Sequence, residues 1–338
     1  MTQRELSFVP VSASKSVKLS IIIVSWNVRE DLVRCLRSIE DNHPLTPYEV
    51  IVVDNASSDG TMECLRRDFP AATVIENEQN RGFAAANNQG IQKAGGQYIF
   101  LLNPDTIVHS GSLDVLIRFM DNNPDAGACG PKLLDGIGKP CHWGGEFPTF
   151  RFALYSKTIL RLLGIFRGHY KKVKKGTFYR DRQSEVSHLC GAALMVRRSV
   201  IEKIGSLDES FFMYYEDVDL CLRVVQTGAR VFYVPEAMIT HFGGGSSNQT
   251  SGKQHLMSYK SLLILFRKHR GNAATMLFAL IFKPGVILKE IWNVFSGAIV
   301  YLVFAILQNP QKQAKSLTKA KRSANFLRRY TWQFLFRT

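Results

Sequence analysis

Tyr98-Ile99-Phe100-Leu101-Leu102-Asn103-Pro104-Asp105 is an apolar run of strand length that stops in a short polar turn carrying one carboxylate. A buried strand ending this way presents a metal ligand at the carboxyl edge of an α/β sheet, where such folds hold their ligands. Glu49-Val50-Ile51-Val52-Val53-Asp54-Asn55 ends in the same manner, with Asp54 after a β-branched strand. Leu19-Ser20-Ile21-Ile22-Ile23-Val24-Ser25-Trp26-Asn27 ends in small polar residues and an indole. Three buried strands that deliver polar tips to one edge describe a nucleotide site.

Helical patterns fill the gaps between these strands. Val28 to Glu40 places Leu32, Leu36 and Ile39 on one face. Ala56-Ser57-Ser58-Asp59-Gly60-Thr61 is a turn with helix-capping residues, and a helix follows to Asp68. Thr73 to Ile75 gives a short strand, Asn80-Arg81-Gly82 a turn, and Phe83 to Ala94 a helix. The strands read as continuous apolar runs, which requires cover on both faces. The predicted class is α/β, with a parallel, helix-covered sheet.

Six motifs in this order resemble the family 2 glycosyltransferases, enzymes of the GT-A fold that move a sugar from a nucleotide diphosphate to a hydroxyl. They are Ile23-Val24-Ser25-Trp26-Asn27, the run from Val52 to Thr61, Asn80 to Asn87, Leu102 to Asp105, Cys190 to Ala193, and Tyr215 to Leu220. The resemblance covers about residues 18 to 250 and implies a Rossmann-like, mainly parallel sheet flanked by helices. The Asn-Pro-Asp form and the Asn-Arg-Gly-Phe run look most like bacterial rhamnosyltransferases that build O-antigen or cell-wall linkers. That implies dTDP-rhamnose as donor and a polyprenyl-diphosphate-linked saccharide as acceptor. Another UDP- or GDP-sugar, or a non-catalytic nucleotide-sugar-binding protein, is the alternative.

Expelling a nucleoside diphosphate puts negative charge on the bridging oxygen, which a divalent cation neutralises. Mg²⁺ or Mn²⁺ takes hard oxygen ligands and needs few from the protein. Asp105 is the expected ligand. The family usually has an Asp two positions earlier that contacts the ribose; here Asn103 stands there, neutral but able to donate and accept. The resemblance gives Asp54 a contact to the base or ribose and puts Ser25 and Asn27 in the base pocket. Trp26 and Asn55 flank them in the nucleotide site. Asp54 could instead cap the 56–61 turn.

His241 follows a short strand and precedes Gly243-Gly244-Gly245, a loop whose backbone can approach phosphates closely. The family often has a histidine here that completes the metal site or touches the diphosphate. Gly191 and Ala192 are small enough for a sugar to lie against the backbone. Arg81 either neutralises diphosphate or solvates its turn.

An acceptor hydroxyl needs a carboxylate to take its proton. Phe211-Phe212-Met213-Tyr214-Tyr215-Glu216-Asp217-Val218-Asp219-Leu220 sets an acidic cluster after an aromatic run. Helix capping accounts for Glu216 or Asp219. The aromatic run would also exclude water and raise a carboxylate pKa. Matching the family's acidic pair makes Asp217 the general base, with Glu216 as second candidate or acceptor-binding group. One base and direct displacement imply inversion at the anomeric carbon.

At 338 residues the chain exceeds one ordinary domain. The expected division is an N-terminal extension (1–17), a catalytic domain (18–252, with nucleotide-sugar and acceptor halves meeting near 110) and a basic, apolar helical region (253–338). Residues 1–17 lack a signal-peptide pattern. The six cysteines show no metal-ligand or paired spacing, as expected of reduced, buried thiols. A pyrophosphorylase would need a Gly-rich phosphate loop after the first strand, and Ser25-Trp26-Asn27-Val28-Arg29 is not one.

From Lys253 to Thr338 there are fifteen Lys and Arg against one acid, Glu290, so this region holds +14 of the net +15. Between the charges lie Ala273 to Phe282 and Ile291 to Leu307, separated by Lys283-Pro284-Gly285. The second is seventeen uncharged residues, the short edge of the ~17–25 that span a bilayer. Nucleic acid would explain the charge but not that run, so the expected partner is an anionic membrane surface. The expected location is the cytoplasmic face of the inner or cell membrane, peripheral or monotopic, with a homo-oligomer left open. Arg167 to Arg182, rich in lysine, reads as a mobile loop over the site, another lipid-phosphate contact, or a plain solvated loop.

Overall fold

β1 (Leu19–Ser25) is buried at all seven positions, as its unbroken apolar run requires. It leads through α1 (Arg29–Asp41) to β2 (Tyr48–Asp54), through α2 (Thr61–Asp68) to β3 (Thr73–Glu76), and through α3 (Phe83–Lys93) to β4 (Tyr98–Leu102). α1 buries Leu32, Leu36 and Ile39, the face the spacing marks, together with Cys35. β5 (Thr106–Val108), α4 (Ser112–Asn122), β6 (Ala126–Leu134), β7 (Gly144–Gly145), α5 (Phe150–Lys157) and α6 (Arg167–Thr177) follow. Then come β8 (Ser184–Glu185), β9 (His188–Leu189), β10 (Ala193–Arg197), α7 (Arg198–Ile204), α8 (Glu216–Gln226) and β11 (Arg230–His241). The last elements are α9 (Lys253–Arg270), α10 (Asn272–Ile306) and α11 (Pro310–Phe336). This computed structural model describes residues 16–141, 144–177, 182–243 and 252–337. Most of the N-terminal extension, and Gly244 and Gly245 of the glycine loop, lie outside the described residues.

The main sheet has the order β3-β2-β1-β4-β10-β6-β11-β5, with β8 beside β11. β1 pairs in parallel with β2 and β4, Ser25 opposite Asp54 and Ile23 opposite Leu102. The strand order reverses between β1 and β4, the place where open α/β sheets leave a crevice at their carboxyl ends.

The four strands of the apolar runs, β1 to β4, are parallel as predicted, and the strands added after them make the sheet mixed. β10 runs antiparallel to β4 and β6, and β5 antiparallel to β11. Burial on both faces dictates an apolar strand but carries no direction. The reversal has a consequence for the site: Ala193 at the start of β10 lies opposite Leu102 at the end of β4. Gly191 and Ala192 are thereby delivered to the same edge as Asn103.

Contacts divide the chain into two compact units, Met1–Phe147 with Thr177–Phe212 and Glu216–Ser246, and Pro148–Gly176 with Met213–Tyr215 and Ser247–Thr338. Residues 148–176, expected within the catalytic domain, pack with the C-terminal helices. The reason is aromatic: Phe150 stacks on Phe278 at 4.7 Å and meets Phe266 edge-on at 4.6 Å. The lysine-rich stretch is helix α6 as far as Thr177 rather than loop, consistent with the good helix propensity of lysine. Tyr170 of α6 lies 5.2 Å from Phe152 and 4.7 Å from Tyr155 of α5.

The expected break at Lys283-Pro284-Gly285 does not occur. α10 runs unbroken through Pro284, although an interior proline costs about 3 kcal/mol. Packing on both sides offsets that cost. Phe282 and Val286 are fully buried, and Lys283 Nζ donates to the Leu335 carbonyl at 2.8 Å.

Candidate active site at the carboxyl edge of the sheet

At the end of β1 and β2, Ser25 and Asp54 are neighbours in register. Asp54 Oδ2 accepts the Ser57 N–H at 2.9 Å, so it does cap the 56–61 turn. Its Oδ1 and the Ser25 Oγ are buried with no hydrogen-bond partner among the described residues. Unmatched buried polar atoms are rare and costly, which marks this edge as a place for a polar ligand. Burial pushes the Asp54 carboxyl up, partly offset by the Ser57 hydrogen bonds.

Asn27 takes φ of +52°, and its Oδ1 accepts the Ser58 N–H at 2.7 Å. Asn55 is placed differently from its expected ligand contact. Its amide donates to Asn80 Oδ1 at 3.0 Å and to the Gly82 carbonyl at 3.3 Å. Its Oδ1 accepts from Arg81 N at 2.9 Å and Asn77 Nδ2 at 3.2 Å. Asn55 is a clasp for the 77–82 turn. That turn needs its glycine: Gly82 has φ of +85°, and a Cβ there would meet the Phe212 carbonyl oxygen at 2.7 Å. Arg81 stands exposed on the turn, and Trp26 is half-buried.

Asp105 sits in the turn between β4 and β5. His241, the last residue of β11, lies opposite Thr106 in register. His241 Nε2 approaches Asp105 Oδ1 at 3.3 Å and Asn103 Nδ2 at 3.5 Å. Asn103 Oδ1 is buried without a hydrogen-bond partner among the described residues. The described residues hold no cluster of three or more His, Cys, Asp and Glu able to bind a metal. A carboxylate, an imidazole and an unmatched amide oxygen at one spot still fit a hard divalent cation, whose other ligands would be phosphates and water.

The backbone ties this group to the acidic pair. Asn103 N donates to the Ala192 carbonyl at 2.9 Å, and Gly191 N donates to Asp217 Oδ2 at 2.7 Å. Asp217 Oδ1 also accepts the Val218 N–H at 2.8 Å, so its carboxylate is oriented from both sides. Only a small residue fits at 191, where a Cβ would come within 3.1 Å of the Asp217 Cβ. Asp217 is half-buried, whereas Glu216 is 6% exposed. Glu216 Oε2 lacks a hydrogen-bond partner among the described residues. Burial, with the adjacent Asp217 charge, holds the Glu216 carboxyl well above the usual range. Asp219 is structural: its carboxylate pairs with Arg223 at 2.8 Å, and that guanidinium also binds the carbonyls of Ile204, Gly205 and Ser206. Cys190, pushed up to about 12 by burial and by Asp217, stays an inert thiol. All six cysteines are free.

Two features of the site escape sequence reading. Tyr214 and Tyr215 take φ of +72° and +68° directly before Glu216. Two consecutive non-glycine residues in that region cost about 1–3 kcal/mol each, strain of the kind that gathers at functional positions. The Phe212 carbonyl also accepts the Phe83 N–H at 2.7 Å, tying the acidic segment's approach to the start of α3.

The raised Glu216 pKa makes a stability prediction. A group whose folded pKa exceeds its unfolded value contributes stability that is complete below the ordinary glutamate range and is lost as pH rises through the raised value. Glu216→Gln should therefore match wild type in acid and become the more stable protein as pH rises. Parallel denaturant titrations across pH check this, and a stability difference that does not change with pH would contradict it.

Residues 20–205 match the family described as glycosyl transferase family 2. N-acetylglucosaminyl-diphospho-decaprenol L-rhamnosyltransferase of Mycobacterium tuberculosis is 29% identical over 270 residues, covering 75% of this chain and 85% of that protein. Rhamnosyltransferase WbbL of Escherichia coli K12 is 28% identical over 232 residues, 66% and 82% of the two chains. Among solved structures, a Pyrobaculum calidifontis mannosyltransferase in complex with GDP-Man and Mn²⁺ aligns over 95% of this chain and 88% of its own, with TM-score 0.55 and 15% identity. GalNAc-T7 with UDP, GalNAc and Mn²⁺ aligns over 75% of this chain and 48% of its own, with TM-score 0.55 and 16% identity. The fold is GT-A, and the chain belongs to glycosyl transferase family 2.

Proposed function

We propose that this glycosyltransferase moves L-rhamnose from a nucleoside-diphosphate donor, dTDP-rhamnose, to a polyprenyl-diphosphate-linked saccharide, with inversion. The observation that supports the reading is the hydrogen-bonded path from Asn103, after β4, through Ala192 and Gly191, before β10, to the Asp217 carboxylate in the first turn of α8. Rhamnose itself is supported by the two relatives named rhamnosyltransferases. The lipid acceptor is supported by the mycobacterial relative, whose name includes diphospho-decaprenol.

Ser25 and Asp54 offer the unmatched oxygens that would bind the nucleoside, while Asn27 and Asp54 hold the 56–58 turn beside it. Asp105 and His241, with Asn103, would hold Mg²⁺ or Mn²⁺. When bound, the cation neutralises charge on the departing diphosphate. Asp217, oriented by the Gly191 and Val218 N–H groups, takes the proton of the acceptor hydroxyl as the glycosidic bond forms. Burial and the adjacent Asp217 charge disfavour a second negative charge on Glu216 beside the base. The small residues at 191 and 192 leave room for a sugar against the backbone.

The test is a donor panel with the full chain and a polyprenyl-diphosphate N-acetylglucosamine acceptor, with product mass and anomeric configuration determined. The expected product carries one rhamnose with inverted configuration. Transfer from a UDP- or GDP-sugar in preference to dTDP-rhamnose would overturn the rhamnosyl assignment, and a retained configuration would overturn the single-base mechanism.

A further inference from the structure

Resting on the membrane association that the lipid-linked acceptor implies, we infer that α10 and α11 form a hairpin lying flat in one anionic leaflet and that α10 does not span the bilayer. By length and composition alone α10 could cross a membrane, and only 22% of its most apolar eighteen-residue window is buried. A core helix would be mostly buried. Leu288, Ile291, Trp292, Phe295, Ile299 and Leu302 form an exposed apolar series along it. Its buried residues, Phe278, Phe282, Val286, Glu290, Asn293 and Gly297, recur at the three- and four-residue steps of a single stripe.

What covers that stripe decides the seat. Lys312 Nζ lies over the Phe304 ring at 5.1 Å. A Cβ on Gly297 would meet Ala320 at 2.7 Å and the Ser316 carbonyl at 3.2 Å. Ser323 Oγ donates to Glu290 Oε2 at 2.6 Å, and Lys283 Nζ reaches the Leu335 carbonyl at 2.8 Å. As residue numbers fall along α10 they rise along α11, so the two helices run antiparallel from 304 back to 283. The apolar run 291–307 is therefore flanked by Lys312, Lys315, Lys319, Lys321 and Arg322. Driving that run through hydrocarbon would carry those five cations with it, and α11 has no acid to pair them.

Length argues the same way. The 35 residues of α10 extend about 52 Å, well beyond the ~30 Å of hydrocarbon. Lying flat, the helix buries its exposed apolar face at the headgroup boundary, while α11 lies behind it and keeps its lysines in water within the field of the anionic headgroups. A second copy is the poorer occupant, because two surfaces this basic repel each other, whereas an anionic leaflet complements both the charge and the apolar face.

Two measurements on the full chain test this. In flotation, the protein should rise with phosphatidylglycerol-containing vesicles and far less with pure phosphatidylcholine. Lys315→Ala combined with Lys319→Ala should weaken binding to the anionic vesicles by roughly tenfold or more. In sealed inverted membrane vesicles from expressing cells, Gln311→Cys should react with an impermeant maleimide as completely as in detergent, read by peptide mass spectrometry. Protection of Gln311→Cys until detergent is added would show a span and overturn the inference. So would failure to float, whether with self-association in solution, which would assign the face to a second copy, or as a monomer. Nucleotide release from donor is assayed separately, so loss of the membrane seat with that activity intact would leave the catalytic reading standing.

Discussion

Asp105→Ala is expected to abolish sugar transfer while the protein stays folded. The carboxylate stands in the turn after β4, 3.3 Å from His241 and beside the unmatched oxygen of Asn103. Removing it takes away the only carboxylate within this group. Losing a cation that stabilises the departing diphosphate costs several kcal/mol, on the order of a thousandfold or more in kcat/KM. The fold should survive, because the bond from Phe242 N to Asp105 at 3.0 Å uses the main-chain carbonyl. Circular dichroism melts and steady-state rates separate the two effects. Wild-type activity that persists in EDTA would contradict the assignment.

Asp217→Asn is expected to lower kcat by ~10²–10⁴, the usual worth of a general base, with donor affinity little changed. Asparagine keeps one oxygen to accept the Gly191 N–H and loses the second acceptor that meets the Val218 N–H, so basicity is lost together with one of the two orienting bonds. The neighbouring carboxyl provides the contrast. Glu216 is buried and its carboxyl is held well above the usual range, so its replacement by glutamine should affect rate far less. A dead Glu216→Gln beside a near-normal Asp217→Asn would move the base by one residue.

Much of this site was legible from residue order. Apolar runs ending in Asp54 and Asp105 announce strands that stop at an edge, and the structure places both carboxylates there. The pairing of His241 with Asp105 joins residues 136 positions apart, and only the family resemblance pointed to it. The parallel direction of β1 to β4 was legible from the helices between them, but that of β10 was not, because burial on both faces fixes composition and leaves polarity open. Asn55 misled for a related reason: an Asn after a strand serves a ligand or a turn equally well, and its partners Asn77, Asn80 and Arg81 arrive from a distant loop. Pro284 misled because local propensity forbids what aromatic packing of Phe282 and its neighbours permits. The strain at Tyr214 and Tyr215 leaves no mark in residue type at all.

In the proposed function, the carboxyl edge of this sheet binds a nucleoside diphosphate together with a divalent cation held by Asp105 and His241. Crystals grown with dTDP and Mn²⁺, measured for anomalous scattering, test it most directly. The expected map shows a manganese peak at Asp105 and His241, with the nucleoside against Ser25 and Asp54. A nucleotide bound elsewhere, or manganese absent from Asp105 while nucleotide occupies the edge, would contradict the account.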